Sequence, residues 1–133
     1  MTLRLVPRAV VLAWLVAQAW LALLAFDLAR PAGFARLCRR LGGTRANGRS
    51  PLASPQDIVW AVDEACVWYV KRVLCLQRSA VAVWLLRRQG LAAELVVGFR
   101  PIPFESHAWA EVGGQVVNDR PQYQKVFTVL DRL

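Results

Sequence analysis

CLQRSAVAVWLLRRQGLAAELVVGFRPIPFESHAWAEVGGQVVND, residues 75–119, is the stretch whose reading decides the fold. It opens on Cys75, ends on Asn118-Asp119 and holds His107, the one histidine of the chain. The order is thiol, then imidazole, then a side chain able to orient a histidine. Nucleophilic catalysis by a thiol needs those three roles, because the thiolate is the reactive form, an imidazole takes the proton and a third group fixes the ring tautomer.

Residues 80–86 are apolar without a break, which predicts a helix covered on most sides. Arg87 and Arg88 suit its last turn and Gly90 its stop signal. Cys75 then falls in the first turn, where free N–H groups and the positive end of the helix dipole favour a thiolate. Arg78, three residues on, adds a cation to the same face. The competing reading of Cys75 is an inert core thiol. Beyond Gly90, residues 95–99 read as a strand, and Pro101 and Pro103 predict a loop over 100–105. Residues 107–112 and 115–119 predict a hairpin around Gly113-Gly114. Taken singly, His107 also reads as a satisfied strand histidine, and Asp119 as a strand-end carboxylate.

The stretch resembles the B2 leader peptidases of lasso-peptide biosynthesis, which have a transglutaminase-like, papain-related core. Cys75-Leu76, Arg78-Ser79, Leu85-Leu86-Arg87-Arg88, Gly90-Leu91, Gly98, His107-Ala108-Trp109, Glu111-Val112, Gly114 and Asn118-Asp119 carry the likeness, and Phe127-Thr128-Val129-Leu130 looks like the family's closing strand. The resemblance implies that Cys75 is the nucleophile, His107 the base and Asp119 the orienting carboxylate. It also implies a ribosomally made precursor peptide as substrate, with a small B1-type leader-binding protein and an ATP-dependent lasso cyclase as partners.

The rest of the chain sets limits. Its 133 residues fit one domain with a modest core, and 56% are hydrophobic, high for a soluble chain. Cys38, Cys66 and Cys75 are an odd count without framework spacing, which points to a reducing compartment such as the cytoplasm. A single histidine argues against a metal site, and no cofactor is expected. The net charge of +8 comes mostly from arginine. No nucleic-acid motif accompanies it, so an acidic peptide or a membrane surface is the better expectation.

Residues 9–26 are apolar apart from Gln18, flanked by Arg4 and Arg8 before and by Asp27 and Arg30 after. A buried or interfacial helix is expected, ahead of a membrane span at the short limit and a signal peptide lacking a convincing cleavage site. A short basic helix is predicted over 34–41 and a surface loop over 42–54. Ser54-Pro55-Gln56-Asp57 is a helix start: Ser54 caps, Pro55 suits the first position and Asp57 favours the positive end. Ile58, Val62, Ala65, Tyr69 and Val73 follow at helical spacing. Trp60, Trp68 and Tyr69 read as core aromatics, with a peptide groove as the second reading.

The expected fold is α+β. Apolar N-terminal helices over 1–41 and the loop over 42–54 precede a papain/transglutaminase-like core over 55–133. In that core a helix bearing the nucleophile packs on a small antiparallel sheet. The expected function is a cysteine endopeptidase that removes a leader through an acyl-enzyme. A fused leader-binding domain would need roughly 80 further residues, so a separate recognition partner is expected. The alternatives are a transglutaminase-like acyltransferase or amidase on the same triad, and a non-enzymatic membrane-associated adaptor. Parity ties the third triad member to the hairpin turn. A three-residue loop, with Glu111 opposite Gln115, sets His107 across from Asp119, whereas a two-residue loop puts Asn118 on the face of His107. The choice of Asp119 therefore predicts the three-residue loop, with Gly114 left-handed.

Overall fold

The computed structural model describes residues 7–29 and 53–133. The expectations for 34–41, for Cys38 and for the loop up to residue 52 lie outside them. The described elements are α1 (Arg8–Ala29), α2 (Pro55–Val67), α3 (Cys75–Arg88), β1 (Ala93–Pro101), β2 (Phe104–Val112), β3 (Gln115–Val116), α4 (Tyr123–Val126) and β4 (Thr128–Arg132). The architecture is α+β, with three helices against one antiparallel sheet of order β3-β2-β1-β4.

Local chemistry explains where the helices begin and end. Ser54 caps α2 by accepting from the Asp57 N–H at 3.1 Å, with Pro55 at the first position. At the end of α3, the Gly90 N–H donates to the Arg87 carbonyl and the Leu91 N–H to the Leu86 carbonyl, both at 3.0 Å. That pattern is a Schellman motif, and Gly90 supplies its left-handed residue at φ 91°.

One apolar core joins all three helices to one face of the sheet. Leu15, Ala19 and Leu23 of α1 share it with Ile58 and Val62 of α2 and Leu85 of α3. The α1 spacing of three and four residues is the helical stripe expected of a packed face. Tyr69, just past α2, is buried too. Its O–H donates to Asp27, and its ring meets Trp20 edge-on at 5.7 Å. Trp60 and Trp68, expected in the core, are instead exposed, so only Tyr69 of the three aromatics is a core residue.

Two expectations about the sheet are corrected. Residues 100–105 are not a loop: β1 and β2 stay paired out to Pro101 opposite Phe104, leaving only Ile102-Pro103 as the turn. Pro101 and Phe104 sit at the end of the hairpin, where a missing proline N–H breaks no interior ladder bond. The second hairpin has the two-residue loop, since Val112 pairs with Gln115 and Glu111 with Val116. Gly113 and Gly114 have φ of 59° and 77°. Both central residues of a type I′ turn need positive φ, and the pair of glycines meets that demand. β4 closes the sheet against β1, with a register shift at Val97/Gly98.

Candidate active site

The first turn of α3 is left open. Leu74 stands at its N-cap position and makes no side-chain cap hydrogen bond, unlike Ser54 at α2. The first bond of the helix runs from the Arg78 N–H to the Leu74 carbonyl at 3.0 Å. The N–H groups of the preceding turn, starting with Cys75 itself, therefore have no partner within the helix. Such a terminus attracts negative charge, whether a thiolate or an oxyanion. Cys75 is half-buried there, against the edge of the helical core. Cys66, on α2, is also half-buried, but burial, reinforced by Asp63, pushes its thiol up to about 11. It is a neutral thiol at physiological pH.

His107 lies on β2 and meets Asp119, with its Nε2 2.8 Å from Oδ2. The carboxylate can only accept there, so Nε2 carries the proton and Nδ1 is left as the acceptor of the ring. The imidazole is walled by aromatics, with ring centroids at 4.6 Å for Tyr123, 5.7 Å for Phe127 and 6.2 Å for Trp109. Trp109 is fully buried, and its Nε1 donates to Glu111 at 2.7 Å. Glu111 in turn accepts from Arg132 at 2.9 Å. Burial alone would raise the Glu111 carboxyl, but the hydrogen bonds from Arg132 and Trp109 outweigh it and hold it below its ordinary value. Gly98, paired with His107 across the β1–β2 ladder, makes room for this cluster. A Cβ at Gly98 would lie 2.8 Å from the Trp109 ring and 3.0 Å from Phe127.

Asp119 reaches His107 although the two-residue turn gives it the wrong parity. The reason is Asn118. In a continuing ladder the Ala110 N–H would bond to the carbonyl opposite it. Here it donates instead to the Asn118 side-chain oxygen, at 2.8 Å, while the Val117 N–H still reaches the Ala110 carbonyl at 3.0 Å. A side chain has replaced a backbone partner, β3 stops at Val116, and the bend that follows resets the direction of Asp119. The Asn118 amide then donates to Ser79 Oγ at 2.9 Å, and Ser79 donates to the Ala108 carbonyl at 3.0 Å. Asn118 is thus bound to the helix and strand rather than to the imidazole.

These bonds fasten α3 to the sheet beside the histidine. Ser79 is one helical turn from Cys75, on the same face. Arg78 turns away from a purely local role. Its Nη2 donates to Asp119 Oδ2 at 3.2 Å and its Nη1 to Asp63 of α2 at 3.1 Å. One carboxylate oxygen of Asp119 therefore serves both His107 and Arg78, while the other accepts the Arg120 N–H at 3.0 Å. Gln77 is buried on the other side and donates to the Leu23 carbonyl of α1 at 3.0 Å. Among the described residues, no three His, Cys, Asp or Glu side chains converge as a metal site requires.

Of the three residues expected from sequence, the structure pairs His107 with Asp119 and sets Cys75 in the first turn of α3; what surrounds them was not foreseen. The hydrogen-bonding roles of Ser79 and Asn118 and the aromatic wall from Tyr123 and Phe127 were not anticipated. Ser79 had a signal, a small polar residue four positions after the cysteine inside an apolar helix. Phe127 had only its place in the expected closing strand and Tyr123 none, because their part depends on how the chain returns after Asp119.

Comparison with known proteins agrees with this architecture. A family model described as Transglutaminase-like superfamily matches residues 20–132. The Microcin J25-processing protein McjB of Escherichia coli is 43% identical over 56 residues, 42% of this chain and 27% of that protein. The match thus spans little more than a quarter of the curated relative's length. No solved structure matches the chain. With the family model covering most of the sequence and the fold in agreement, the chain belongs to the transglutaminase-like superfamily.

Proposed function

We propose that the protein is a cysteine endopeptidase that removes the leader from a ribosomally made lasso-peptide precursor, with Cys75, His107 and Asp119 as its triad. The observation that carries this reading is the 2.8 Å pairing of His107 Nε2 with Asp119, which leaves Nδ1 as a base, beside a helix that presents Cys75 in an uncapped first turn. The similarity to a protein named for processing microcin J25 supports a peptide as the substrate.

In this mechanism His107 Nδ1 takes the Cys75 proton, and the thiolate attacks the carbonyl carbon at the leader–core junction. The N–H groups of the open first turn stabilise the oxyanion. Asp119 holds the imidazolium, with Arg78 beside it. Collapse of the tetrahedral adduct breaks the C–N bond, and the core amine leaves with the proton from His107. The leader remains as a thioester on Cys75. Water, deprotonated by His107, attacks that thioester and releases the leader acid and the free thiol. An amine acceptor in place of water would make the same acyl-enzyme a transferase. A separate leader-binding protein delivers the precursor, and an ATP-dependent cyclase uses the freed core.

The test is cleavage of a synthetic precursor, followed by mass spectrometry, with and without the leader-binding protein. The expected products are an unmodified leader acid and a core with a free amine, formed faster with the partner when the precursor is well below saturation. Labelling of Cys75 by a peptide electrophile should depend on His107. Absence of labelling together with an intact precursor would point to a non-enzymatic adaptor. A leader recovered as an amide would point to a transferase.

A further inference from the structure

A helix packed on a core along one side normally turns charged and polar residues outward. α1 does not. After Arg8, every exposed residue of α1 is apolar, and the larger ones are Val10, Trp14, Leu21 and Leu28. Trp14 is 61% exposed and Leu28 73%. At 3.6 residues per turn these four lie within an arc of about 40°, along a helix about 33 Å long. The opposite face is occupied: Leu15, Ala19 and Leu23 are buried in the shared core, Gln77 donates to the Leu23 carbonyl, and Arg88 donates to Gln18 at 2.9 Å.

The net charge of the chain is concentrated in the sequence around α1. Residues 1–52 hold eight of the 17 Lys and Arg but one of the nine Asp and Glu, while residues 53–133 hold nine and eight. Nearly all of the +8 therefore flanks α1 in sequence, with Arg4 and Arg8 before it and Arg30, Arg36, Arg39 and Arg40 after it. The single acidic residue, Asp27, is engaged by Lys71 at 2.8 Å and by Tyr69, and Arg8 pairs with Asp57 of α2 at 2.7 Å.

We propose that α1 docks the protein in the plane of an anionic lipid bilayer, its exposed apolar stripe seated at the boundary between headgroups and acyl chains and the net positive charge of the chain drawing it to that surface. The stripe offers no hydrogen-bonding group except the Trp14 indole N–H. A protein partner would be expected to meet a polar rim and regular hydrogen bonds. Acyl chains need neither, and an indole suits the headgroup boundary. A strongly basic chain with an exposed apolar helix face is the combination that anionic leaflets attract. The helix lies on the surface and does not span, because spanning would strip Leu15, Ala19 and Leu23 from α2 and α3. This surface is separate from the triad and does not depend on the proposed reaction.

The experiment is sedimentation of the full chain with vesicles of phosphatidylcholine alone or with about one third phosphatidylglycerol. The protein should pellet with the anionic vesicles at least about tenfold more strongly than with the neutral ones. Raising salt from about 0.05 M to about 0.5 M should weaken it. Trp14→Ser with Leu21→Ser should lose the binding while circular dichroism and Cys75 labelling stay as in the parent. Ala17→Glu, which puts an acid into the stripe at an exposed alanine and removes no packing, should do the same. Equal retention on both vesicle types, or none on either, overturns the proposal. So does retention that resists an alkaline carbonate wash, which means a spanning helix. A dimer that either variant dissolves assigns the face to a second copy and also overturns it.

Discussion

Within α3, residues 75–79 and residues 81–86 are held in different ways. The first group is fixed by directed bonds: Gln77 to the α1 backbone, Arg78 to Asp119 and Asp63, and Ser79 between Ala108 and Asn118. The second is fixed by volume, with Val81, Ala82, Val83, Leu85 and Leu86 filling the core. Apolar packing is strong but non-directional, so it sets how tightly the helix sits. Hydrogen bonds are weak in net energy but angular, so they set which way the helix faces. The end that carries the thiol is the one whose rotation is specified.

The largest expected effect tests the end that carries the thiol. Cys75→Ala should reduce precursor cleavage by about a thousandfold or more with the fold unchanged, while Cys66→Ala keeps the activity. Full cleavage by Cys75→Ala, seen by mass spectrometry, would falsify the assignment.

Leu85→Ala probes the other end. It should destabilise the protein by about 2–5 kcal/mol in denaturant titration, with little change in the rate per folded molecule. A rate loss at unchanged stability would erase the distinction between the two ends.

Asn118→Ala should affect both properties. It leaves the Ala110 N–H and Ser79 Oγ without their partner, at about 1–3 kcal/mol. It also releases the bend that aims Asp119, so activity should fall as well. A purely thermodynamic effect would show that Asp119 is aimed without Asn118.

Arg78→Gln should slow cleavage about tenfold, about 1.4 kcal/mol, by loosening Asp119. Stability should change by less than about 1 kcal/mol, since the Asp63 end of the bridge is half-exposed. Arg78→Lys should recover part of the rate. An unaltered pH–rate profile in Arg78→Gln would remove the guanidinium from the positioning of Asp119.

The smallest effect concerns acid stability behind the imidazole. The folded Glu111 carboxyl titrates below its unfolded value. Its stabilisation is therefore present above about pH 4.3 and is lost as pH falls through the folded value. Glu111→Gln should flatten that acid limb in thermal melts taken across pH. An unchanged limb would mean that the Arg132–Glu111–Trp109 chain adds nothing to it.

Much of this was legible in the chain because it is local. Ser54-Pro55 started α2, the unbroken apolar run and Gly90 bounded α3, and Gly113-Gly114 marked a hairpin. The proline loop was misread because Pro101 looked like a break, whereas at a strand end it costs no ladder bond. The turn was misread for a different reason. Parity was extended to Asp119 as though the strand continued, and the sequence alone does not show that an asparagine amide takes over a backbone bond at Asn118.

What the sequence alone determined is set by neighbours: capping, periodicity, the left-handed Gly114 and the order of thiol, imidazole and carboxylate. Those follow from backbone sterics and from hydrogen bonds a few residues long. Tertiary structure decided the contacts that join distant positions, such as Arg78 to Asp119 across 41 residues, Ser79 to Asn118 across 39 and Gln77 to Leu23 across 54. It also decided that, among the described residues, nothing packs over the apolar outer face of α1. Each such contact exists only once both partners are held in place by the packed core, so its energy belongs to the arrangement and not to any stretch of chain.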